Sequence, residues 1–137
     1  MYRETFTTRA LSRILSDDKL FTKISQRLFL CRLAETTDNI NMLTILSGYR
    51  HEEDGANVRG AVARNEHTPE CILVYLSDDP DSYVRAGVAE NLSTPVDILE
   101  KLTRDRHWFV RSSTRGNPKM TSAMLKYMRD NGLWTKI

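Results

Sequence analysis

A chain of 137 residues, 40% hydrophobic and 28% charged, is the size of one domain and needs no staple to hold a core. Six glycines and four prolines are too few for a turn-rich all-β fold, and no apolar run approaches the roughly 20 residues that span a bilayer. The net charge of +2 conceals segregation: residues 1–51 carry 8 basic and 5 acidic side chains, residues 52–99 carry 3 and 10, and residues 100–137 carry 9 and 3.

At the front, Met1 to Arg13 is polar and mixed in charge and lacks the apolar core of a signal peptide, so a cytoplasmic location is expected. Residues 2–16 and 18–35 read as two longer helices that cap the array, with Asp17 or Asp18 opening the second. Together, residues 1–35 form the N-terminal cap. Residues 36–56 read as a degenerate repeat carrying Met42, Leu43 and Leu46, with an insertion between Gly48 and Gly55.

From residue 57 the chain matches itself at a shift of 26. Val58-Arg59, Val62-Ala63 and Asn65 return as Val84-Arg85, Val88-Ala89 and Asn91, and again in worn form as Val110-Arg111, Thr114-Arg115 and Asn117. Thr68-Pro69 returns as Thr94-Pro95, and the triplets Ile72/Leu73/Leu76, Ile98/Leu99/Leu102 and Met124/Leu125/Met128 follow. Valines at i and i+4 make one apolar stripe on a helix, and each leucine triplet makes another. Asn65 and Asn91 are placed to end the first helix in a left-handed conformation. Thr68 and Thr94 are placed as N-caps, with Pro69 and Pro95 at the first helical position. Residues 57–131 are thus three repeats, the last helix running over 121–131 to Gly132, and 132–137 form a tail.

Two short amphipathic helices cannot bury their faces alone, so the units must stack. The pattern Val-Arg-x-x-Val-Ala-x-Asn, then Thr-Pro, then Leu-x-x-Leu, resembles the variant leucine-rich repeat and is also similar to HEAT-like repeats. The resemblance covers residues 57–128 well, residues 36–56 poorly and the first 35 not at all. It implies an all-α fold, a short right-handed α-solenoid of alternating α and shorter, often 3₁₀, helices. Some members of the variant family carry an iron–sulfur module on clustered cysteines. Cys31 and Cys71 lie 40 residues apart and form no such cluster. They read as buried reduced thiols, and no cofactor is expected.

The chemistry-bearing residues point to binding more than to catalysis. His51, His67 and His107 read as exposed or capping side chains rather than metal ligands. Asp78, Asp79 and Asp81, like Glu52, Glu53 and Asp54, read as solvated loop charges and lack an EF-hand spacing. No phosphate loop or nucleophile motif is present. Arg59 and Arg85 each follow a core valine near an acidic loop, which favours a structural fork to a carboxylate or carbonyl. Arg111 sits where the pattern breaks, amid Arg104, Arg106, His107, Trp108, Arg115, Lys119 and Lys126. These eight residues form the candidate macromolecule-binding surface, because arginine, lysine and tryptophan together suit an interface. A protein partner, with the chain as adaptor or inhibitor, is the first expectation. Nucleic-acid binding through the same basic end is the alternative, with Trp108 as the side chain to stack on a base. A symmetric homodimer that hides a terminal stripe is a further arrangement, and no membrane role is expected.

Overall fold

The structure, a computed structural model, describes residues 23–134. These residues form eight α-helices and no strand: α1 (Lys23–Thr36), α2 (Ile40–Ser47), α3 (Gly55–Arg64), α4 (Glu70–Leu76), α5 (Ser82–Glu90), α6 (Val96–Leu102), α7 (Trp108–Thr114) and α8 (Ser122–Asp130). None of the described helices is long and apolar enough to cross a membrane. Helices 2–16 and the start of 18–35, with any cap from Asp17 or Asp18, lie outside the described residues.

The helices pair as a helical repeat, and the first helices of successive units, α1, α3, α5 and α7, pack one on the next. Val58, Val84 and Val110 are fully buried between them, as are Leu73, Leu76, Leu99 and, nearly so, Leu102 from the second helices. Full burial of each such side chain contributes about 1.5–3 kcal/mol. Gly87 sits at the closest approach of α5 to α3, where a Cβ would lie 2.9 Å from Ala63 Cβ and 3.1 Å from Gly60 O.

Helix α1 packs on α3 just as α3 packs on α5, with Leu30 and Ala34 fully buried in the places of Val58 and Val62. It therefore acts as the first helix of a unit. The unit it opens closes with α2, whose Met42, Leu43 and Leu46 are buried as the degenerate pattern implies.

The asparagines work differently from the sequence expectation. No non-glycine residue among those described has a positive φ, and Asn65 and Asn91 end their helices in extended backbone (ψ 125° and 128°). Each turns its side chain inward instead. Asn91 Nδ2 donates to Ala63 O at 2.8 Å and to Asn65 O at 2.9 Å, and its Oδ1 accepts from Ser93 N at 2.8 Å. Asn65 bonds in the same way to Ala34 O and Thr37 O, and Asn117 to Ala89 O and Asn91 O. Helix-end carbonyls buried by stacking need donors, and the amide of the next unit supplies them.

The threonines are also reassigned. Pro69 and Pro95 hold the N-cap positions with no side-chain cap, so the helices begin one residue later than expected. Thr68 and Thr94 Oγ1 donate backwards, to Val62 O and Val88 O, each at 2.6 Å. They tether the start of α4 and α6 to the end of the preceding helix. Both cysteines are free, but only Cys31 is partly covered, and there burial pushes its thiol up. Cys71 is exposed because it lies beside the Ile72/Leu73/Leu76 stripe of α4, off the buried face.

Asn91→Asp keeps the shape and removes the donor, leaving two buried carbonyls facing an oxygen. It is expected to lower the unfolding free energy by about 2–3 kcal/mol in urea titration. Leu92→Asn, at an exposed neighbour, should stay within about 0.5 kcal/mol.

Candidate functional site

The arginine ladder is the first feature to place, because it decides how much of the positive charge reaches solvent. Arg59 and Arg85 are each only 5% exposed. Arg59 forks onto Asp79, Nε to Oδ2 at 2.7 Å and Nη2 to Oδ1 at 3.0 Å, and its Nη1 donates to Tyr49 O at 2.7 Å. Arg85 repeats the fork on Asp105 at 2.7 and 3.0 Å, while its Nη1 donates to Asp79 O and Pro80 O. Both forks reach the loop of the following unit boundary, as the sequence pattern anticipates.

Burial by itself would raise the carboxyls of Asp79 and Asp105. The arginine forks, the backbone donors of Asp81 and His107, and the nearby arginine charges outweigh it and hold both below the ordinary carboxylate range. Asp79 is therefore no solvated loop charge; it is buried at 3% exposure and closes a rung. Its neighbours are also engaged, since Asp81 accepts from Tyr83 N at the start of α5 and Asp78 pairs with Lys101 Nζ at 2.7 Å.

Arg111 belongs to this ladder and drops out of the proposed surface. It is 4% exposed, its Nη1 donates to Asp105 O and Arg106 O, and its Nε donates to Leu133 O at 2.9 Å. The last carbonyl stands where Asp79 and Asp105 stand in earlier rungs. It is presented by a helix-ending turn in which Gly132 has φ 66°, Gly132 N donates to Arg129 O and Leu133 N donates to Met128 O. Residues 132–133 therefore close the ladder rather than trail from it.

The other seven candidates divide. Arg104 and Arg106 are exposed and share one cleft of about 370 Å³ with Asp78 and Lys101. Arg104 also lines a second cleft of about 390 Å³ between α6 and α8, with Val96, Glu100, Met124 and Tyr127. There its Cζ lies 4.3 Å from the Tyr127 ring centroid and its Nη2 donates to Glu100 Oε1 at 3.2 Å. The remaining candidates stand in separate arrangements. His107 Nδ1 accepts from Phe109 N, and its ring stacks at 6.2 Å on half-buried Trp108, which meets Phe109 edge-on. Arg115 lies 4.3 Å over Trp134, Lys119 Nζ donates to Thr94 O, and Lys126 pairs with Asp130 at 2.6 Å.

Lys101, Glu100, Val96 and Tyr127 complete the clefted surface and lie outside the eight candidates. Lys101 and Tyr127 occupy one repeat position, 26 residues apart, and each meets a charged residue of the preceding loop, Asp78 or Arg104. That shared register is the signal by which they were detectable. Of the other histidines, His51 Nδ1 lies 2.8 Å from Asp54 Oδ1 and His67 is exposed. Among the described residues, no group of three or more metal-binding side chains converges. No family model matches the chain, and neither a curated protein nor a solved structure matches it.

Three outcomes follow for stability. Arg111→Ala is expected to cost about 2 kcal/mol in urea titration by removing the donors of three part-buried carbonyls, against about 0.5 kcal/mol or less for Arg106→Ala on the surface. Because the folded carboxyls of Asp79 and Asp105 ionise below their unfolded value of about 3.9, their contribution is complete above that pH. It is lost as pH falls through the depressed folded values, so an acid titration followed by circular dichroism should show unfolding there. Asp79→Asn should unfold at higher pH and lower urea, by about 3–5 kcal/mol, because Arg59 is left buried without its anion.

Proposed function

We propose that the chain is a non-enzymatic, macromolecule-binding helical repeat protein, a short right-handed α-solenoid of the variant leucine-rich or HEAT-like kind. It acts in the cytoplasm as a protein–protein adaptor or inhibitor and holds an acidic partner on its C-terminal units. One observation carries the reading: exposed Lys101, Arg104 and Arg106 line two adjoining clefts, with Arg104 in both walls. Exposed cations beside apolar and aromatic surface are what a protein interface uses to steer and anchor a partner.

The burial of Asp79 and Asp105 in arginine forks supports binding over catalysis. Those carboxylates are held ionised and hydrogen-bonded, with no freedom to exchange a proton near neutral pH. A protein is favoured over a nucleic acid because Asp78 and Glu100 interrupt the cationic track, where a phosphate backbone needs unbroken positive charge. Trp108 is half-buried against His107 and Phe109, which leaves it a poor platform for a base.

The test immobilises the full chain and an R104E/R106E variant and challenges both with native extract. Acidic proteins should be retained by the first alone and released as salt rises, since screening shortens the reach of exposed charge. Identical retention on both resins removes the basic clefts from the mechanism. Gel-shift titration of single-stranded and duplex oligonucleotides at about 50 and 200 mM salt runs in parallel. A tight complex that collapses steeply between those salts would transfer the assignment to nucleic acid.

A further inference from the structure

The cleft between α6 and α8 lies where the array departs from its own construction. In the two preceding units a threonine hydroxyl ties the start of the second helix to the end of the first, Thr68 to Val62 O and Thr94 to Val88 O. The equivalent residue before α8 is Met120, which has no hydroxyl. Thr114, in the place of Val62 and Val88, turns its own hydroxyl onto Arg111 O at 2.7 Å. Helix α8 starts without that tether, its first turn capped instead by the Thr121 hydroxyl, which accepts from Met124 N at 3.2 Å. Between α6 and α8 lies the cleft of about 390 Å³.

Its lining is mixed in a directed way. Val96 is 47% exposed and Tyr127 38% exposed, and with Met124 and Ala123 they make an apolar floor open to solvent. Arg104 stands on the rim over Tyr127, and its one ion pair among the described residues is the 3.2 Å bond to Glu100, in which both side chains are about half exposed. An ion pair so exposed contributes about 0–1 kcal/mol, so an incoming carboxylate displaces Glu100 at little cost. Beyond Arg104 the rim continues to Lys101 and Arg106. The neighbouring carboxylates of Asp79 and Asp105 are already engaged by Arg59 and Arg85, leaving three cations facing Glu100 and Asp78.

We infer that this cleft is the docking site for a short acidic segment of a partner protein, one apolar side chain of which seats against Val96, Met124 and Tyr127 while a flanking carboxylate takes Arg104. The inference deepens the function proposed above and rests on it. The cleft is of a size that takes one or two side chains. The apolar contact supplies most of the affinity and the arginine sets orientation and charge preference.

A random-peptide display library is selected against the full chain, and the recovered peptides are titrated against three variants. Ala123→Trp fills the cleft from an exposed position, Val96→Glu places a negative charge on the opposite wall at a helix start that tolerates it, and Arg104→Glu reverses the rim. Recovered peptides should carry Asp or Glu within a few residues of Leu, Phe or Trp. Each variant should weaken them by at least about tenfold while its urea transition stays in place. If Arg104→Glu abolishes binding but Ala123→Trp and Val96→Glu do not, the cleft falls and the acidic-partner reading survives. Peptides without acidic enrichment, or equal binding by all three variants, would sink both. Displacement of the peptides by a single-stranded oligonucleotide would assign the site to nucleic acid instead.

Discussion

A buried carbonyl with no donor is the constraint from which most of this structure follows. Helices of seven to ten residues gain their stability by stacking, and stacking that buries Val58, Val84 and Val110 also buries the carbonyls at the helix ends. Each unit resolves this with side chains of its neighbour. Asn65, Asn91 and Asn117 reach back to the carbonyls of the preceding first helix, and Arg59, Arg85 and Arg111 fill the loops between units. A core valine and a buried arginine next to it in sequence are thus two parts of one joint, one removing apolar surface from water and the other satisfying the polar groups that the removal strands.

An array built in this way must end, and the last unit ends it by substitution. Arg111 has no following aspartate, so Gly132 turns the chain and Leu133 offers a carbonyl in its place. At the other edge of the same unit the tethering threonine is absent, and a cleft lies between α6 and α8. The unit that closes the ladder is therefore also the one that opens a cleft. The two properties are compatible because they use opposite ends of α8: its C-terminal turn is held by the rung, and its N-terminal turn, capped by Thr121, lines the cleft.

Formal charge is a poor guide to the charge that reaches solvent here. The last 38 residues carry 9 basic and 3 acidic side chains. Arg111 is interior, Lys126 and Lys101 are paired to aspartates, and Arg104 and Arg115 lie over aromatic rings. The proposed role rests on the placement of Arg104 beside open apolar surface, not on the sum of charges.

The 26-residue period was enough to read the helix pairs, the buried valines and leucines, and the fork of Arg59 and Arg85, because all of these depend on residue type at short or regularly repeated spacing. The first unit was hidden by its own irregularity: Leu30 and Ala34 stand 28 residues before Val58 and Val62, and Thr37 takes the asparagine's place. The roles of the asparagines and threonines were misread since both residue types have strong local habits, as helix stops and caps, which tertiary carbonyls overrode. Likewise Arg111 looks like a surface cation by its neighbours in sequence, and its partner at Leu133 exists only once the last turn has folded. Only the stacked chain decides which of the remaining polar groups are stranded and which side chain can reach them, because Asn65 meets Ala34 O and Arg111 meets Leu133 O across 31 and 22 residues by packing and not by any pattern along the chain.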